Sequence, residues 1–207
     1  MPSIFTRRKS DVVIDDIFAA TYQMLQTQHF KDITFKRIKK AAQVSRSVIH
    51  HYWMNPLDLS VATIDNWTQN DEQCMQALEF DNGSLRADLI YAGNQFADYV
   101  IRLPDEFNRI LIIELQHQDW PTKKLLKATH RYALKLMRKT TKLAKKRGEI
   151  KQNIKLPITT KLVLFQLIRY QNYLSGQPVS SEMITHWVDD IVLPAIAKEN
   201  QRLLIVS

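Results

Sequence analysis

An all-α chain is predicted, and three observations predict it. Apolar residues recur at three- and four-residue spacing from Val13 to Ile196. No alternating apolar–polar run competes with that periodicity. The 207 residues include only four glycines and seven prolines, which favours long helices over turn-rich β structure. The expected architecture is a three-helix domain over residues 1–55 followed by a helical bundle over 56–207, with about nine helices in total. With 45% hydrophobic and 24% charged residues, the composition is that of an ordinary water-soluble protein. The single Cys74 excludes an intrachain disulfide and fits a reducing, cytoplasmic compartment. No apolar run reaches membrane-spanning length, and the N-terminal MPSIFTRRKSD has no apolar signal core.

The first element follows a basic arm, Thr6-Arg7-Arg8-Lys9, that either reaches phosphates or is a solvated terminus. Ser10 is an N-cap candidate, and Asp11 sits at the positive end of the helix that follows. Val13, Ile17, Ala20 and Met24 make its stripe, broadened by Ile14, Phe18 and Leu25.

Two short helices with a tight turn between them are predicted over Thr34–Trp53. Thr34 caps the first, which places Phe35, Ile38, Ala41 and Ala42 on one face and Lys36, Arg37, Lys39 and Lys40 on the other. Gln43-Val44 breaks the pattern. Ser45 caps the second helix, with Val48, Ile49 and Tyr52 as its apolar stripe and Ser45, Arg46, Ser47, His50 and His51 opposite. Two short helices joined by a turn of about three or four residues form a helix-turn-helix, whose second helix enters the DNA major groove. Arg46, near the start of that helix, suits guanine O6 and N7 in bidentate fashion. Ser45, Thr34 and the helix-end N–H groups suit phosphate oxygens. Lys36, on the polar face of the first helix, and Ser47, near the start of the second, are further DNA-binding candidates. His50 and His51 point about 100° apart on a helix, so they do not pair as metal ligands, and no metal is expected.

The stretch FKDITFKRIKKAAQVSRSVIHHYWMNPLDL resembles the DNA-binding domain of the TetR/AcrR-type regulators. His29-Phe30, Thr34, Ile38, Ala41-Ala42, Val44-Ser45, Ile49, Tyr52 and Trp53 match that family's pattern in order and spacing. The likeness covers Val12 to Leu59; beyond that it extends only to the layout of helices. It implies that Tyr52 keeps an aromatic phosphate contact, and that His50 stands where the family has a backbone-contacting Tyr. Besides His50, this sequence departs from the pattern at four places. His29 and Gln43 stand where Gly is usual, and His29 is therefore expected to be a strained turn residue. Val48 replaces a Thr used at the DNA surface, where a thymine-methyl contact could substitute. Pro56 replaces a phosphate-binding Lys, although Asn55-Pro56 makes a good helix start. A left-handed backbone at Gln43 would cost about 1 kcal/mol relative to Gly.

Helices are then expected over 56–80, ended by Asp81-Asn82-Gly83; over 84–103; from Pro104 to about Gln118; from Pro121 to Arg147, ended by Gly148; over 157–174; and over 180–200. The last two are apolar around much of their girth. That calls for a second burial surface, which a symmetric homodimer pairing them into a four-helix bundle would supply. Phe165, Ile168, Tyr173, Trp187, Val188 and Ile191 are the candidate interface residues, and the resemblance implies the same arrangement. Any small-molecule effector is expected among the middle helices, near Trp67, Tyr91, Phe96, Tyr99, His117, Trp120 and His130.

Charge is unevenly placed within the net +8. Residues 67–120 carry 10 acids and 3 bases, whereas residues 121–151 carry 12 bases and one acid. The basic helix could pair with the acidic segment, form a solvated surface, or bind phosphates or an acidic partner. No metal-ligand spacing, Gly-rich phosphate loop or nucleophile elbow is present, so neither an enzyme nor a cofactor is expected. The expected function is sequence-specific transcription regulation by a homodimer on palindromic double-stranded DNA, most simply as a ligand-responsive repressor. The alternative is a ligand-free, DNA-bound scaffold or partner-binding protein of the same fold.

Overall fold

The computed structural model describes residues 10–109, 121–173, 175 and 177–202. Ten α-helices and no strand occur among the described residues: α1 (Ser10–Thr27), α2 (Phe35–Ala41), α3 (Arg46–Tyr52), α4 (Pro56–Asn70), α5 (Glu72–Gln76), α6 (Leu85–Arg102), α7 (Pro121–Arg147), α8 (Ile158–Tyr173), α9 (Ser181–Trp187) and α10 (Leu193–Arg202). Residues 105–109 are also helical; the rest of the helix expected to run to Gln118 lies outside the described residues, as does the arm Thr6–Lys9. The chain clusters into two compact units. One comprises Met1–Trp67 with Pro104–Ala128, the other Thr68–Leu103 with Thr129–Ser207.

In the first unit, α1 packs on α2 and α2 on α3. The core is built from Ile17, Leu25, Ile38, Ile49 and Leu59, all fully buried. The α1 stripe includes a polar member, the buried Thr21, whose hydroxyl donates to the Ile17 carbonyl at 2.8 Å and so takes no unpaired polar atom inside. Trp53 is buried, with Phe18 edge-on at 5.5 Å, and this locks the exit of α3 onto α1. His29 corrects the expectation of strain. Its φ of −68° and ψ of 142° are ordinary extended backbone, because the short 3-10 turn Phe30–Asp32 turns the chain there without a left-handed residue. Glu106 holds that turn, accepting the Phe30 N–H at 2.8 Å.

Gln43 does adopt the left-handed conformation, with φ 53°. The Val44 N–H donates to the Lys39 carbonyl at 3.1 Å, the six-to-one bond that closes a helix around a left-handed residue. Gln43→Gly is therefore expected to raise stability by about 0.5–1 kcal/mol, relief of the Cβ strain outweighing the added freedom of the unfolded chain. Urea melts check this; an unchanged or lowered midpoint refutes it.

The single helix expected over 56–80 is broken. α4 ends at Asn70 and α5 begins after Asp71, whose carboxylate accepts the Cys74 N–H at 2.8 Å. Arg102, at the end of α6, donates to both Asp71 oxygens at 2.9 Å, so a distant partner fixes the break. α6 packs on α8 and α9. Gly93 permits that approach: a Cβ there would lie 2.6 Å from Ile184 Cγ2 and 3.3 Å from Leu164 Cδ2. Both neighbours are buried, so Gly93→Ala is expected to cost about 1–3 kcal/mol despite its better helix propensity. A thermal melt equal to or above that of the parent would refute it.

α7 ends as expected. Gly148 has φ 78°, and the Glu149 N–H reaches back to the Ala144 carbonyl at 3.0 Å. The last helix is not continuous. A π-helical turn, Val188–Val192, separates α9 from α10. Pro194 has no N–H and its ring would crowd the carbonyl four residues back, so widening the helix just before it relieves both problems.

Candidate nucleic-acid interface and effector region

The two caps form as their residues dictate. Thr34 Oγ1 accepts the Arg37 N–H at 3.3 Å, and Ser45 Oγ accepts the Val48 N–H at 3.4 Å. Phe35, Ile38 and Ile49 turn inward. Thr34, Lys36, Ser45, Arg46, Ser47, His50, His51 and Tyr52 are all exposed. Ala41, placed on the apolar face by spacing, is exposed as well, and Ala42 takes the inward position. Arg46 Nε donates to His50 Nε2 at 2.9 Å, one helical turn on, which holds the guanidinium along α3 and requires His50 unprotonated at that nitrogen. His50 is itself braced edge-on against Phe35 at 4.8 Å. The Ser45 and Ser47 hydroxyls are 2.8 Å apart. Tyr52, 45% exposed, has its ring 4.8 Å from that of His51 and 5.4 Å from that of Trp53. Arg37, Lys39 and Lys40 are exposed as well. At the start of α4, Asn55 Oδ1 accepts the Asp58 N–H at 2.8 Å, making the expected helix start with Pro56 in its first turn.

Of the effector candidates, Phe96 and Tyr99 lie together, their ring centres 5.7 Å apart. His117 and Trp120 lie outside the described residues. Trp67 is in the first unit, stacked on Tyr22 at 5.6 Å. Tyr91 packs on Phe80 at 4.9 Å. Phe96 and Tyr99 are buried in an aromatic cluster with Tyr132 and Phe165: Phe96–Phe165 are 4.9 Å apart and Tyr99–Tyr132 4.6 Å. The Arg169 guanidinium lies 5.1 Å from the Phe96 ring centre, and burial pulls its pKa below the usual value. His130 is within 2.8 Å of Gln166 Nε2; burial, then the Arg169 charge, keeps its pKa below the usual value of 6.5.

The six interface candidates divide. Phe165, Ile168 and Val188 are buried within the second unit itself. Tyr173 and Trp187 are half-buried, and Ile191 is 38% exposed. Tyr170, not among the candidates, is 59% exposed on α8. Apolar residues left uncovered on the last helices are therefore Ile158, at the start of α8, and Tyr170 and Ile191, with Tyr173 and Trp187 half-buried.

Solved structures give the same arrangement of helices. The TetR family transcription regulator SCO0332 is 20% identical, with 87% of this chain and 96% of that one covered at a TM-score of 0.62. The fold is that of the TetR-type regulators. A candidate transcriptional regulator from Pseudomonas aeruginosa PAO1 is 14% identical, with 96% and 97% covered and a TM-score of 0.60. The fatty acid degradation regulator FadR from Bacillus halodurans is 15% identical, with 89% and 94% covered and a TM-score of 0.56. No protein-family model and no curated protein matches the chain.

Within this TetR-type fold, several features escaped the sequence reading. The bracing of Arg46 by His50 was legible in principle, since the two are four residues apart on one helix. The Asp71–Arg102 pair and the Arg169–Phe96 contact were not, because each joins residues far apart in the chain. Among the described residues no cluster of three or more His, Cys, Asp or Glu could hold a metal ion, and no helix is long and apolar enough to cross a membrane.

Proposed function

We propose that this chain is a sequence-specific, DNA-binding transcription regulator. The observation that carries the reading is the pair α2–α3. Both helices are capped by their own Thr34 and Ser45, and eight exposed polar or aromatic side chains on and beside them suit base edges and phosphates. Arg46 reads guanine, Thr34, Lys36, Ser45 and Ser47 take phosphate oxygens, and His50, His51 and Tyr52 flank them. The protein acts as a homodimer, with Tyr170, Tyr173, Trp187 and Ile191 as the apolar surface a second copy covers. Two reading heads then meet palindromic half-sites about 34 Å apart, or a multiple of that. It acts as a repressor, released when an effector held among the middle helices favours another spacing of the heads.

The packed cluster of Phe96, Tyr99, Tyr132 and Phe165 favours a second reading, a DNA-bound scaffold without a small-molecule ligand. One experiment tests the DNA claim for both readings: selection of genomic fragments by the purified full chain at two salt concentrations. A palindrome retained at the higher salt is the expected result. Recovery only of arbitrary DNA, lost as salt rises, would reduce the activity to phosphate binding and overturn specific readout.

A further inference from the structure

A groove of about 1110 Å3 lies between α7 and the segment leading into α8, entirely within the second unit. Seven of its fifteen lining residues are Lys or Arg and none is acidic. Arg138, Lys142 and Lys146 stand at four-residue spacing, one row along α7 about 12 Å long. Lys155 and Lys161 face the groove from the other side. Met137, Ile154 and Leu156, each buried, contribute apolar surface beneath them.

The far wall is built rather than loose. The Lys145 ammonium donates to the Gln152 carbonyl at 2.7 Å, and Gln152 Nε2 donates back to the Lys145 carbonyl at 2.6 Å. This clasp spends one cation on structure. Lys139 has Glu79 at 3.8 Å. Among the described residues no ion pair involves Arg138, Lys142, Lys146, Lys155 or Lys161. Like charges at four-residue spacing destabilise the bare helix, and a concave wall focuses their field. No ion pair among the described residues offsets that repulsion, which leaves these cations open to an anion from outside.

We propose that this groove binds an amphiphile carrying phosphate on an apolar body, with Arg138, Lys142, Lys146, Lys155 and Lys161 meeting the phosphate and the aliphatic floor the remainder. A lone carboxylate would leave most of these cations uncompensated, whereas compact ammonium groups suit phosphate as point charges. A nucleic-acid strand fits less well: the lining contains no Phe, Tyr, Trp or His on which a base could stack.

The test is calorimetric titration of the full chain with dihexanoyl phosphatidic acid kept monomeric. Saturable one-to-one binding is expected, at least tenfold tighter than that of inorganic pyrophosphate, which lacks the apolar body. The Lys142→Glu, Lys155→Glu double variant changes two exposed residues on opposite sides and is expected to weaken binding by about tenfold or more per site. If its circular dichroism melt shows it unfolded, Arg138→Gln, Lys146→Gln takes its place. Phosphatidylglycerol vesicles form a second arm. Binding to both vesicles and monomer would assign the phosphate to a lipid surface, and binding to monomer alone to a free ligand; both support the site. Absence of binding, equal binding by the variants, or capture of a twelve-nucleotide single strand in place of the lipid would overturn it.

Discussion

Arg147→Met is expected to lower the free energy of unfolding by about 3–5 kcal/mol. The last residue of α7 holds three carboxylates at once: Nη2 to Asp88 at 2.6 Å, Nε to Glu149 at 2.6 Å, and Nη1 to Asp81. Asp88 is fully buried, whereas Asp81 is 48% exposed. Exposed pairs of this kind contribute about 0–1 kcal/mol, so the effect comes almost wholly from Asp88. Removing its cation leaves a buried carboxylate whose donors beyond its own helix, among the described residues, are only the Asn82 backbone and side-chain N–H groups. Hydrogen bonding to the acids raises the Arg147 pKa, the Asp88 bond first, so the pair does not separate by losing the arginine's proton. Adding Asp88→Asn to Arg147→Met removes the stranded charge and is expected to recover a large part of the loss. Urea unfolding of the three chains checks both statements, and a single-variant loss below about 1 kcal/mol would refute the first.

The same corner predicts an acid limit. Burial works against the Glu149 carboxylate, but the Leu85 N–H at 2.6 Å and the Arg147 guanidinium prevail and hold its pKa below the ordinary 4.5. Burial likewise opposes Asp71, and its bonds to Arg102 and Cys74 hold it below 3.8. With folded values lower than unfolded ones, this stabilisation is fully present above about pH 4.5 and is lost as pH falls through the folded values. Unfolding midpoints should therefore decline below that pH. In Arg147→Met the Glu149 share of the decline should shrink, which a pH series of melts resolves.

The second large effect is at the reading head. Arg46→Ala is expected to weaken operator binding by about 1–3 kcal/mol and to relax the preference at one base position. The side chain is exposed, so the fold should melt at the parent temperature. His50→Ala removes the acceptor that holds the guanidinium along α3, and should cost less because Arg46 itself remains. Lys36→Ala should differ in kind, weakening all sequences evenly and reducing the salt slope by about one. Fluorescence anisotropy with the selected operator and a scrambled duplex, at several salt concentrations, separates the three. An Arg46→Ala chain that kept full discrimination would remove Arg46 from the readout.

Much of the reading head is legible in the sequence because it is local. Thr34 and Ser45 cap by bonds three residues long, and Gln43 and Gly148 end helices by bonds five residues back; none of these needs a distant partner. Gln43 shows that a departure from the usual glycine raised the energy of the turn without changing its geometry. His29 shows the converse: the likeness to a family suggested strain, and a 3-10 turn held by Glu106, far along the chain, removed it.

The sequence by itself determined the helical class, the two capped helices with their inward Phe35, Ile38 and Ile49, and the concentration of cations on one long helix. Only the tertiary structure decided where α4 ends, because Arg102 sets the break at Asp71. It decided which cations of α7 are spent: Arg147 on the buried Asp88, Lys145 on a carbonyl clasp, and Arg138, Lys142 and Lys146 on a groove without acids. It also decided that Phe165, Ile168 and Val188 serve their own unit while Tyr170 and Ile191 stay uncovered. Periodicity records that a face is apolar. Which surface covers that face depends on helices distant in sequence, and a one-dimensional pattern carries no term for them.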